Sequence, residues 1–93
     1  EANEVYAWPE SKKVFEAWIA ELEKFSGDRL SEADFNAAQD AVKNVAGVKG
    51  KNLFMPIRVA VIGQPHGAEL KILVPLLPKM SLLQRAKQAL AKV

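Results

Sequence analysis

The apolar positions fall into a helical rhythm early in the chain. Val14, Phe15, Trp18, Ile19, Leu22 and Phe25 recur every three or four residues with charge between them, the spacing that lays one apolar stripe along a helix. Pro9 suits the first turn of that helix, where its missing N–H costs nothing, and Ser26-Gly27-Asp28 ends it. Residues 1–9 read as a connecting segment. A second helix is expected from Ser31, an N-cap with Asp34 at capping-box spacing and with Leu30 and Phe35 at the hydrophobic-staple positions. Its stripe is Phe35, Ala38, Val42 and Val45, and Gly47 closes it.

Lys49 to Asn52 form a basic turn around Gly50. The run Ile57-Arg58-Val59-Ala60-Val61-Ile62 is rich in β-branched residues and favours a strand by propensity. No partner strand is legible elsewhere, and a lone strand leaves its backbone groups unpaired. The expectation is therefore a short helix with Pro56 near its first turn. Gly63-Gln64-Pro65-His66-Gly67 reads as a loop, and Ala68 to about Val74 as a short helix stopped or kinked at Pro75. A last helix opens at Pro78 or Ser81, with Ser81 and Gln84 at capping-box spacing and Leu83, Ala86, Leu90 and Val93 on one face. The fold class expected is all-α, a compact bundle of about five short helices over residues 10–93.

Composition narrows what such a bundle can do. The chain has 93 residues and is 49% hydrophobic, enough for one core. It has no cysteine, which excludes disulfides and thiolate metal sites and suits a reducing, cytoplasmic compartment. With a single His, metal binding would rest on carboxylates, and no metal site is expected. No apolar stretch approaches bilayer length and no signal segment opens the chain, so no membrane partner is expected. The first residue is Glu rather than Met, as in a piece of a longer chain, although processing gives the same result. No nucleophile or base accompanies the lone His66, which argues against an enzyme in its own right. Net charge is +2. Acids crowd residues 1–40 and basic residues gather after Lys43, leaving one half better suited to phosphate.

One stretch is far more specific than the rest. Lys49-Gly50-Lys51-Asn52-Leu53-Phe54-Met55-Pro56-Ile57-Arg58-Val59-Ala60-Val61-Ile62-Gly63, followed by His66-Gly67 and Glu69-Leu70, resembles the anticodon-binding region of bacterial glutamyl-tRNA synthetases. The pattern there is close to K-G-K-x-L-F-M-P-L-R-x-A-L-T-G, then a polar turn and H-G-P-x-L. Phe15-Glu16-Ala17-Trp18 and Leu76-Leu77 share the likeness, which covers the chain from about Val14 onward. It implies the helical C-terminal domain of a class I aminoacyl-tRNA synthetase, with the anticodon loop of tRNA(Glu) and the enzyme's upstream catalytic domain as partners. ATP and Mg2+ would then belong to the parent enzyme, and no cofactor to this piece. Lys79-Met80-Ser81 looks like the start of the second ATP signature of such enzymes, but Leu82-Leu83 stand where Lys-Ser should follow, so it reads as a helix start. The chain departs from the family at Ile62, usually Thr, at Pro65, usually Ser or Thr, and at Pro78, usually Gly. The first two bear on how the loop meets an RNA base.

The resemblance also nominates site residues, each with a plainer alternative. Arg58 matches an anticodon-contacting arginine, and a guanidinium can stack on an unpaired base and bond its edge; alternatively it pairs with a surface carboxylate. His66 and Gly67 precede a helix start, where N–H groups attract acceptors; alternatively His66 covers Pro65 and Gly67 only turns the chain. Gln64 can bond a base edge. Glu69 falls in the anticodon-facing loop of the family but also suits the first turn of a helix. Lys49 and Lys51 would hold sugar-phosphate, or else stand in a solvated turn. Trp18, Phe15, Phe25, Phe35 and Phe54 could form a stacking platform for bases, but most lie on apolar stripes and are expected in the core; Tyr6 and Trp8 are expected against a preceding domain, and Arg85 and Lys87 as exposed surface charge. The reading of a different class is a small helical adaptor that binds another protein without RNA.

Overall fold

The amphipathic stripe of residues 14–22 becomes the central helix of the molecule. The computed structural model describes residues 2–64, 67 and 69–93, and among them it contains six α-helices, one 3₁₀ turn and no strand. Helix α2 (Pro9–Lys24) has Pro9 as its first residue and buries Val14, Phe15, Ala17, Trp18, Ile19 and Leu22. It packs against helix α3 (Glu32–Ala46), helix α4 (Lys51–Ile62) and helix α6 (Lys79–Leu90). Trp18 is fully buried and meets the Phe35 ring of α3 edge-on, with centroids 5.9 Å apart and planes at 88°. This arrangement suits the charge distribution of the rings and adds roughly 0.5–1.5 kcal/mol beyond the area buried.

Helix α3 starts as its sequence dictates. The Asp34 N–H donates to Ser31 Oγ at 3.1 Å, and the Ser31 N–H donates to Asp34 Oδ2 at 3.0 Å. Leu30 and Phe35, the expected staple, are both buried. The stripe ends differently from expectation. Val45 is 71% exposed, while Ala46 packs against the core. At about 100° per residue, 35, 42 and 46 lie within about 40° of one another, while 38, half-buried, and 45, exposed, fall together at the edge of that face.

Helix α4 confirms helix over strand for the β-branched run but begins earlier than expected. It starts at Lys51, so Pro56 stands in its interior rather than near its first turn. The missing N–H there leaves the Asn52 carbonyl without its usual partner. Gly50, at φ 64° and ψ −142°, turns the chain into the helix, and its carbonyl accepts from the N–H groups of Leu53 and Phe54, both at 3.0 Å. Ile57, Val59, Ala60 and Val61 are buried, and α4 packs on α1, α2 and α6. That burial overrides the propensity of the residues for a strand.

Residues 1–9 were expected to connect, yet Ala2–Ala7 form helix α1. Val5 is fully buried, and the Ser11 hydroxyl donates to its carbonyl. One apolar anchor in six residues makes no periodicity, and a helix this short stands only by packing. Tyr6 and Trp8, expected against a preceding domain, are partly buried against this core; Tyr6 lies 6.1 Å from Phe15.

Near the end of the chain, helix α5 (Leu70–Leu73) starts two residues later than the expected Ala68, and a 3₁₀ turn over Val74–Leu76 carries the chain through Pro75. Helix α6 opens after Pro78, so of the two expected starts Ser81 is set aside; no side chain caps this helix. Its buried face is Leu82, Ala86 and Ala89, with Leu83 and Leu90 at the flanks and Val93 44% exposed. Backbone and side-chain groups of the α2–α3 connection hold this start in place. The Lys79 N–H donates to the Asp28 carbonyl and its ammonium to the Phe25 carbonyl, both at 2.6 Å, while Arg29 Nη1 donates to the Leu76 carbonyl at 2.5 Å. Lys79 is thus a tether for the helix start. The whole measures 32 × 24 × 21 Å, and no helix is long and apolar enough to cross a membrane among the described residues.

Candidate functional site

Helix α4 gives one side to the core and leaves the other open. Leu53, Pro56, Ile57, Val59, Ala60 and Val61 are buried. Lys51, Phe54 and Arg58 are not, and at three- and four-residue intervals they share one face. Arg58 is half-buried and lines a groove of about 270 Å³ with Phe35, Asn36, Gln39, Phe54, Glu69, Leu70 and Lys71. The far wall comes from α3 and the start of α5. Among the described residues, Arg58 has no ion pair and no side-chain hydrogen bond. It lines the groove without the structural carboxylate pair of the alternative among the described residues.

Glu69 stands in the same groove. It is exposed and precedes α5 as its N-cap residue, not within the first turn as expected; its side chain caps nothing, and its carboxylate lies 4.0 Å from the Lys71 ammonium. The pair is solvent-exposed and worth well under about 1 kcal/mol, so the carboxylate is available to another partner.

The other expected site residues divide between the two ends of α4. Gln64 is exposed just past Gly63, and Gly67, at φ 133°, is exposed with the Ile62 side chain close beneath it. His66 lies outside the described residues, as do Pro65 and Ala68. Lys51 is exposed at the start of α4, about 10 Å from Arg58 along the axis at 1.5 Å per residue. Lys49 is exposed too, but it lines a different groove, of about 490 Å³, with Pro9, Glu10, Lys13, Val48 and Asn52 among its neighbours. The structure thus brings Arg58 and Glu69 together, sets Gln64 and Gly67 beyond the C-terminal end of α4, and keeps the two lysines at its N-terminal end.

One residue was misread, and one does more than expected. Phe54, expected in the core, is 44% exposed and beside Arg58 in its groove. Its place four residues before Arg58 was the available clue. Arg85 is exposed, as expected of surface charge, and in addition donates from Nη1 to the Val61 carbonyl at 2.9 Å, satisfying an orphan carbonyl at the C-terminal end of α4. A further groove of about 390 Å³ between α4 and α6, lined in part by Arg85, holds none of the expected site residues. Among the described residues, no three His, Cys, Asp or Glu side chains stand close enough together to hold a metal ion.

Comparison with known proteins gives a consistent picture. A family model described as "Anticodon binding domain" matches residues 2–90. The chain is 57% identical over 93 residues to a glutamate–tRNA ligase of Bdellovibrio bacteriovorus, covering 100% of this chain and 19% of that protein. It is 43% identical over 93 residues to the glutamate–tRNA ligase of Geobacillus thermodenitrificans, covering 97% and 18%, and 46% identical over 79 residues to that of Bacillus subtilis, covering 85% and 15%. The chain thus spans less than a fifth of the length of these relatives. No solved structure matches it.

Proposed function

The chain belongs to the anticodon binding domain family, and on that premise we propose that it reads the anticodon loop of tRNA(Glu) as the recognition module of a glutamate–tRNA ligase. The observation that carries this reading is Arg58: a half-buried arginine, without an ion pair or side-chain hydrogen bond among the described residues, lining an open groove with an exposed ring and a carboxylate. A guanidinium offers five N–H donors in one plane. It can stack on a splayed-out base or bond its acceptors, which is how single-stranded RNA is read. Glu69 can only accept when ionised, and so favours a base edge that donates.

Lys49 and Lys51, one helix length from the loop, serve the sugar-phosphate backbone in this reading, adding affinity without sequence information. Gln64 and Gly67, exposed beyond the C-terminal end of α4, would meet a second loop base in this reading, and His66 is nominated for the same role by its motif alone. Ligation of glutamate to tRNA(Glu), with ATP and Mg2+, falls to the catalytic domain of the parent enzyme, a partner of this module. The lack of cysteine and the names of the relatives support a cytoplasmic enzyme.

The test is the substitution Arg58→Ala, assayed by titration with tRNA(Glu) and with the same tRNA carrying an altered anticodon. Loss of one good base contact should reduce discrimination by about 1–3 kcal/mol. If the ratio of the two affinities does not change, Arg58 does not read the anticodon.

A further inference from the structure

The aromatic rings of this chain differ sharply in exposure. Phe15, Trp18 and Phe35 are buried, Tyr6, Trp8 and Phe25 are partly buried, and only Phe54 is exposed, at 44%. A single exposed apolar side chain is ordinary on a protein surface. The surroundings of this one are not. Phe54 is one helical turn from Arg58 and lines the same groove. Asn36 and Gln39 stand along α3 with both donors and acceptors, and Glu69 adds an acceptor from the start of α5. The other apolar groups at the groove, Phe35 and Leu70, are 3% and 6% exposed and already committed to the core.

We propose that Phe54 is the stacking platform for one unpaired RNA base, held between this ring and the donors of Arg58. The inference rests on the RNA-reading role proposed for the Arg58 face, and it adds the residue that supplies the flat surface. One ring bordered by convergent donors and acceptors matches a nucleobase, which has a π-face and a hydrogen-bonding edge. An amphipathic partner helix would need several apolar contacts in a row, and this groove offers one. The groove volume of about 270 Å³ is below the roughly 300–1,000 Å³ of drug-sized sites, which fits a single ring system better than a longer ligand.

Glu69 narrows the class of base. It is the only carboxylate side chain in the sequence after Asp40, and it accepts hydrogen bonds where Arg58 donates them. It favours a base whose exposed edge offers an amino group, cytosine, adenine or guanine, over uracil, whose edge has a single N–H donor between two acceptors.

The test uses the 93-residue chain and a set of anticodon stem-loop RNAs of tRNA(Glu) in which each loop nucleotide in turn is made abasic. Wild type, Phe54→Leu and Phe54→Trp are titrated against each. Stacking of one base accounts for roughly a 5- to 150-fold change in affinity. Phe54→Leu is expected to lose that much with intact RNA, and to show no further loss at the one abasic position that weakens wild type most. Phe54→Trp is expected to restore binding. Far-UV circular dichroism checks that the variants keep their helix content, as an exposed position allows. If Phe54→Leu binds intact RNA like wild type while Arg58→Ala still loses discrimination, the stacking role is overturned and the RNA reading stands. If wild type binds none of the stem-loops, both are overturned.

Discussion

Replacing Gly63 by alanine tests how the site is assembled. Gly63 ends α4 in the left-handed conformation, at φ 77° and ψ 6°, with its N–H donating to the Val59 carbonyl at 2.9 Å. Past this residue lie Gln64, Gly67 and Glu69, so its turn directs the loop relative to Arg58. A Cβ added here would meet no heavy atom within 4 Å, so the cost of alanine is conformational and not steric. Holding an L-residue in this region costs roughly 1–2 kcal/mol. Stiffening the unfolded chain returns about 0.4–1 kcal/mol, which leaves a net loss of about 1 kcal/mol. For a domain of this size that lowers Tm by about 4–8 °C. Thermal unfolding followed by far-UV circular dichroism measures it, with Gly63→Asn as the comparison, since asparagine tolerates this conformation better. If Gly63→Ala unfolds at the wild-type temperature or above, or below no more than Gly63→Asn does, the helix does not turn at Gly63 and the geometry of the groove is wrong.

Three further outcomes follow from the same structure. Ser31→Ala removes the acceptor of the capping box and should cost about 1 kcal/mol (roughly 0.5–2) in denaturant unfolding. Val45→Lys, at a position 71% exposed, should change stability by less than about 0.5 kcal/mol, whereas Val42→Lys, at a fully buried position, should prevent folding at all; equal effects would restore the stripe expected from sequence. Lys49→Ala and Lys51→Ala should each weaken binding to matched and mismatched RNAs equally and reduce the slope of log K against log salt by about one. A lysine that changes the ratio between sequences would instead be reading a base.

What the sequence revealed depended on how local the determining chemistry was. Helix α3 was legible because Ser31, Asp34, Leu30 and Phe35 settle its start among themselves. The type of α4 was legible only by elimination, and its start was not, because Gly50 turns the chain earlier than Pro56 suggested. Helix α1 was invisible because Val5 acts alone and is held by contacts with α2 and α4. At the site, Arg58 and Glu69 were nominated by their motif, but the motif could not show that they share a groove. Phe54 was missed because it sits among Leu53, Met55 and Ile57, where an apolar run looks uniformly internal; only the rotation of α4 against α2 decides which of these faces outward. The exposure of Arg85 was legible but its hydrogen bond was not, since the partner is a backbone carbonyl 24 positions away.

The most direct measurement of the account is a titration of the unmodified 93-residue chain with the anticodon stem-loop of tRNA(Glu) and with a stem-loop of identical stem but altered anticodon, at two salt concentrations. The account expects tighter binding of the matched loop at both concentrations, with both affinities falling as salt rises. Equal affinity for the two loops, or no binding of either at low salt, would contradict it.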